Sequence, residues 1–175
     1  FTFANNAKES YERMIKYITK AEKELTKKSK FIKVSKYVEK KISISEVSNL
    51  IRQQIANKRG DDFERKVVHF NKPKFFDELF SHPNLKKFTN EGPVTPDHVI
   101  RIKSKPLIID LSKEKSNNLE KIIIQSIENY KENYKKYFKR NHKYNSSASM
   151  LDPYPRLILV RGIGIFSTGP TFKDA

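Results

Sequence analysis

The residues best equipped for chemistry sit in one short string, Thr95-Pro96-Asp97-His98-Val99-Ile100-Arg101-Ile102-Lys103. A carboxylate, an imidazole, a guanidinium and an ammonium this close together can bind an anion, pair among themselves or hold a proton. The β-branched residues predict a strand over Asp97–Lys103, and a strand sends successive side chains to opposite faces. Asp97, Val99, Arg101 and Lys103 then share one face, either as phosphate contacts or as a salt-bridged surface. His98 shares the other face with Ile100 and Ile102, either as a site residue or as a hydrogen-bonded core histidine. Asp97, His98, Arg101 and Lys103 are the substrate-binding candidates; no residue identifies itself as catalytic.

A second signal is the apolar run Arg156–Val160 followed by Gly162 and Gly164. Glycines after a strand let backbone approach a pyrophosphate, with the following helix start holding the charge. Ser167 stands where the third glycine of that fingerprint belongs, and Pro170 interrupts the helix. Gly162 and Gly164 are therefore weak cofactor-binding candidates, and a plain strand-to-helix turn is the favoured reading. The four histidines, His69, His82, His98 and His142, form no HxH or HxxxH pair. With no cysteine either, the chain is expected to build no metal site of its own.

Ile123, Ile127, Tyr130, Tyr134 and Tyr137 recur at three- and four-residue steps among Lys131, Lys135, Lys136, Lys139 and Arg140. Aromatics among bases can stack on single-stranded nucleic acid. The same spacing is what a helix needs to pack, with lysines lying along the edges of the stripe. Because the tyrosines share the isoleucine face, packing is the preferred reading.

These groups need elements to hold them. Asn6, with Glu9 three residues on, starts a helix whose stripe is Ala7, Tyr11, Met14, Ile15, Ile18, Ala21 and Leu25, fading near Lys27–Ser29. Phe31–Lys41 is expected to be irregular or weakly helical. Ser45 caps a helix that Gly60 ends, and Asp61–Arg65 is a polar turn. Lys66–Phe70 is a short strand closed by Pro73, and Phe75–Phe80 forms a single helical turn. Pro106–Asp110 is a strand, Asn117 and Asn118 cap a helix from Leu119 to Arg140, Asn145–Ser149 is a linker, and Arg156–Val160 is a strand. The fold class is mixed α/β: a helix-rich N-terminal half followed by a small β-β-α-β unit.

At 175 residues and 37% hydrophobic content the chain can bury one core. No run reaches the roughly 20 apolar residues of a membrane-spanning helix. Absent cysteine excludes disulfides and fits a reducing, cytoplasmic compartment. The formal charge of +16 invites a nucleic-acid reading. The bases are 28 Lys against 8 Arg in an Asn- and Ile-rich chain. That balance fits codon bias better than a reader of guanine and phosphate, which favours the planar arginine fork. Phe1-Thr2-Phe3-Ala4 shows no leader and Phe172-Lys173-Asp174-Ala175 reads as an opening helical turn, so both ends are expected to be cuts through a longer polypeptide.

Three strings together resemble one family. Phe1-Thr2-Phe3-Ala4-Asn5-Asn6-Ala7-Lys8-Glu9-Ser10-Tyr11-Glu12 is similar to the stretch after the His-Gly of a class II aldolase domain. Thr95–Lys103 with Pro106-Leu107 is similar to a string of bifunctional rhamnulose-1-phosphate aldolase/short-chain dehydrogenase proteins. Pro155–Val160 with Gly162-Ile163-Gly164 resembles the segment leading into their dehydrogenase half, with Arg161 where proline is usual. The resemblance implies that residues 1–92 end a class II aldolase-like domain and that residues 93–175 bridge to a dehydrogenase. It implies a parent that uses Zn²⁺ to cleave a sugar phosphate and NAD to oxidise the aldehyde. The zinc histidines would precede Phe1 and the NAD fingerprint would follow Ala175, so the chain alone would be inactive, with neither zinc nor NAD bound to it. Its partners would be the rest of its own polypeptide and further copies of itself. A basic nucleic-acid-binding module and a purely structural inter-domain segment are the alternatives.

Overall fold

The computed structural model describes residues 2–28, 42–59, 61–74, 76–111 and 118–175. The chain divides into two compact units, Phe1–Lys33 and Val34–Ala175. The first is built on one helix, α1 (Ala7–Lys28). Asn6 starts it as expected: its Oδ1 accepts the Glu9 N–H at 2.9 Å and its Nδ2 donates to Glu9 Oε1 at 3.0 Å. The apolar stripe has helical spacing, yet no residue of α1 is buried.

The second unit runs α2 (Ile44–Gln54), β1 (Asn57–Arg59), β2 (Asp62–Glu64), β3 (Val67–Asn71), α3 (Phe76–Ser81), α4 (Leu85–Asn90), α5 (Pro96–Ile102), β4 (Leu107–Asp110), α6 (Leu119–His142), β5 (Leu157–Arg161) and β6 (Gly164–Gly169). Ser43, not Ser45, caps α2, accepting the Glu46 N–H at 3.4 Å. The segment expected to finish that helix and then turn instead forms the β1–β2 hairpin. The expected stop at Gly60, the Phe31–Lys41 segment, the Asn117 cap and the Phe75 start of a helical turn lie outside the described residues.

The main sheet has the order β3-β6-β5-β4. β4 and β5 run parallel, joined through α6, while β6 is antiparallel to both of its neighbours. Both faces are covered. Ile109, Ile158, Val160 and Phe166 pack with Val47 and Ile51 of α2 and Ile123 and Ile127 of α6. Ile108, Leu157, Leu159 and Ile165 pack with Phe76, Phe80 and Leu85 of α3 and α4. Strands apolar on both faces read as unbroken hydrophobic runs, which is why Pro106–Asp110 and Arg156–Val160 stand out in the sequence. β3, from the stretch before residue 93, pairs with β6, from the stretch after it.

Two expectations are corrected. Asp97–Lys103 is not a strand, because Pro96–Ile102 is helix. Thr95 is extended (φ −129°, ψ 153°), its side chain accepts the His98 N–H, and Pro96 sits in the first turn. A capping threonine followed by proline fixes a helix start locally, and here it outweighs the strand preference of Val99, Ile100 and Ile102. The unit after residue 93 is therefore α-β-α-β-β, not β-β-α-β.

The Gly162/Gly164 segment is likewise neither a phosphate-binding turn nor a strand-to-helix turn. The chain reverses through Gly162 (φ 107°), the Ile163 N–H donates to Val160 O at 3.0 Å, and β6 returns beside β5 with Gly164 opposite Val160. Within β6, Phe166 packs into the layer of α2 and α6 and Ile165 into the layer of α3 and α4, as successive residues of a strand covered on both faces do.

Candidate functional site

Helix α5 leaves Asp97, His98 and Arg101 exposed. The His98 Nδ1 lies 2.7 Å from Thr95 Oγ1, so the imidazole serves the helix start. Lys103, the fourth candidate, is separated from them by the end of the helix. Its backbone takes φ 66°, ψ −179°, a conformation that side chains other than glycine's rarely adopt, and it is only 4% exposed. Strain of this kind persists only where contacts over-determine it. Here the Lys103 ammonium donates to the backbone carbonyls of Asp152 and of Tyr154, the latter at 2.6 Å, and lies 4.1 Å from the centre of the Tyr134 ring.

Asp152 is the hub of what surrounds it. Its Oδ1 is 2.9 Å from Lys66 Nζ and 3.8 Å from Lys103 Nζ, and its Oδ2 accepts from Arg156 Nη2 at 2.6 Å. The Tyr154 ring has the Lys66 ammonium 5.0 Å and the Lys131 ammonium 5.2 Å from its centre. Three separate stretches supply these groups: the residue before β3, the end of α5 and the loop into β5, with α6 alongside.

The electrostatics follow from crowding cations into a dry place. Burial lowers the Lys103 ammonium to about 8; Asp152 opposes the shift, while Arg156 and Lys66 add to it. Burial pushes the Asp152 carboxyl up, but contact with Lys66 and the charges of Lys103 and Arg156 outweigh it and hold the group below its ordinary value. Burial raises the Tyr130 and Tyr134 phenols. With two of its donors on backbone carbonyls, Lys103 is built to tie the Asp152–Tyr154 loop to the end of α5 rather than to attack a substrate.

The structure thus keeps one candidate, Lys103, in a charged cluster and leaves Asp97, His98 and Arg101 on the surface. Lys66, Asp152, Tyr154 and Arg156 were missed. The string Asp152-Pro153-Tyr154-Pro155-Arg156 carried a signal: two prolines stiffen a loop holding an acid and a base four residues apart. Lys66, one basic residue among many, carried none. Tyr130 packs against the core and its hydroxyl donates to Lys105 O at 2.9 Å, so it turns inward, as the packing reading has it.

Among the described residues no donor set fits zinc. No three of their His, Asp or Glu side chains come together to hold a metal. The histidines are scattered: His69 meets Phe172 edge to face, the His82 Nδ1 accepts from the Asn84 N–H, and His142 packs on Phe138. Nor does the β5–β6 hairpin offer a dinucleotide the helix start it requires.

Compared with known families, residues 43–175 match the one described as aldolase class II, second domain. The chain belongs to that family. The matched span of this aldolase second domain contains the sheet, both helical layers and every residue of the Asp152 cluster, while α1 lies before it. No curated protein and no solved structure matches significantly.

Proposed function

We propose that this aldolase second domain works within a larger cytoplasmic enzyme, a zinc-dependent class II aldolase that cleaves a sugar phosphate of the rhamnulose 1-phosphate kind. The zinc-binding histidines belong to another part of that polypeptide, and an NAD-dependent short-chain dehydrogenase half follows. The domain itself performs neither reaction. The observation that carries this reading is the match of residues 43–175 to the family described as aldolase class II, second domain.

Zinc, when bound by the partner domain, would stabilise the enediolate formed as the carbon–carbon bond breaks. What this chain would contribute is structural: a two-faced sheet, and a basic surface that attracts anionic substrates.

The test compares the chain with a polypeptide extended in both directions, following release of triose phosphate from rhamnulose 1-phosphate and NADH formation. The extended protein should cleave the substrate, lose activity on chelation and regain it with Zn²⁺, whereas the chain alone should do nothing. Cleavage by the chain alone, or an extended sequence lacking an upstream His-x-His, would sink the proposal.

A further inference from the structure

The Asp152 cluster has more positive charge than it can neutralise. Lys66, Lys103 and Arg156 converge on one carboxylate, and Lys131, paired with Glu128 at 2.7 Å, joins them over the Tyr154 ring. Four cations face two carboxylates, an excess of two. Lys66 and Lys103 are each 4% exposed, so water does little to disperse that charge. The Lys66 ammonium is buried, and among the described residues its one close acceptor is Asp152 Oδ1 at 2.9 Å, an atom it shares with Lys103. A buried ammonium with three donors and a single shared acceptor is costly, and such groups mark places where an anion completes the structure.

The cluster is open at one side. The side chains of Asp152, Arg156 and Lys131 keep 21%, 23% and 18% of their exposure, so the rim can be reached from solvent while the two buried ammoniums lie behind it. Arg156 gives Nη2 to Asp152 and carries further donors on the same planar fork, a geometry that suits oxyanions. The exposed lysines elsewhere on α6 have no such setting; Lys135, for example, is satisfied by Glu132 at 2.8 Å on an open surface.

We propose that Lys66, Lys103, Lys131 and Arg156 form a binding site for a small oxyanion, entered over the Asp152–Arg156 rim, with Asp152 as a built-in competitor for the same cations. The excess of two charges suits a phosphate dianion, free or as a monoester, better than a carboxylate. The site does not depend on the aldolase reading, since it rests on the cluster's own charge balance and geometry.

The experiment is calorimetric titration of the full chain with inorganic phosphate, and separately with acetate, at constant ionic strength set by chloride. Phosphate should bind saturably at one site per chain with Kd below about 1 mM, and acetate at least about tenfold more weakly. Equal affinity for acetate would support an oxyanion site but overturn its dianion preference. Arg156→Gln and Lys131→Gln should each weaken phosphate about tenfold. Asp152→Asn should tighten it several-fold by removing the competitor, a direction that diffuse attraction to a basic surface would not give. If Asp152→Asn does not fold, the two rim variants decide. Absence of saturable binding by either anion, or unchanged phosphate affinity in both rim variants, overturns the proposal.

Discussion

The Lys103 ammonium sits 4.1 Å from the centre of the Tyr134 ring, so a charge delivered by the end of α5 is roofed by an aromatic from α6. The contact is electrostatic as well as steric, because the ring face is the negative end of its quadrupole. It also explains how a lysine can be held in a conformation that costs about 1–3 kcal/mol. The head group is fixed by two carbonyls and a ring, and the backbone follows.

Stability should depend on pH in an unusual sense. The folded state holds Lys103 at about 8, against an ordinary value of 10.5. Below 8 both states carry the proton and the penalty is fully present. Between 8 and 10.5 the unfolded chain binds more protons, so stability rises with pH, by about 1–3 kcal/mol after solvent screening. Above about 10 the partly buried Tyr130 and Tyr134 phenols, whose values are raised in the fold, begin to favour unfolding. Urea titrations across pH 7–11 should therefore show a maximum near pH 10. In Lys103→Met the rise should vanish. A flat wild-type profile from pH 8 to 10 would contradict this account.

Tyr130→Phe should cost about 1 kcal/mol, since it removes the hydroxyl that donates to Lys105 O and leaves the ring in place. The same variant should soften the loss of stability above pH 10. Equilibrium unfolding of the two proteins at pH 7 and pH 11 separates the two effects.

Gly164→Ala should be severe, about 2–4 kcal/mol, because an added Cβ would meet the Phe70 ring at 2.6 Å and Asn71 O at 3.0 Å at a φ of 157°. If Gly164 served a pyrophosphate and not strand packing, its replacement would leave stability nearly unchanged. Chemical denaturation distinguishes the two outcomes.

Thr95→Ala should lower stability by about 1 kcal/mol through loss of the α5 cap. Thr95→Val, which suits a strand, should be no better. A stabilising effect of valine would argue that this segment is extended.

How much could be seen beforehand varied with the range of the forces involved. The Asn6 cap, the long α6 stripe and the apolar strands β4 and β5 were legible because local periodicity and burial on two faces write themselves directly into sequence. Segment 96–102 was misread because β-branched residues outvoted a single Thr-Pro start signal. The Gly162–Gly164 turn was misread because glycines after a strand suit a turn into a helix and a tight reversal equally well. What distinguishes them is β3, nearly a hundred residues earlier, waiting to pair with β6. Lys66, Lys103 and Asp152 were illegible as a cluster for the same reason: only the closed sheet and the folded-back loop bring them together.

The strand order has a bearing on how the protein comes to be. β6 is synthesised after β3, β4 and β5 yet lies between β3 and β5, so this sheet cannot close by zipping up in the order of translation. Until β6 arrives, β3 has no neighbour in the main sheet and β5 presents an open edge beside the β4–β5 pair. Such edges are templates for pairing with another chain. Nascent copies stalled or truncated before Gly164 should therefore clump, and the domain should depend on β6 for solubility from the moment it is made.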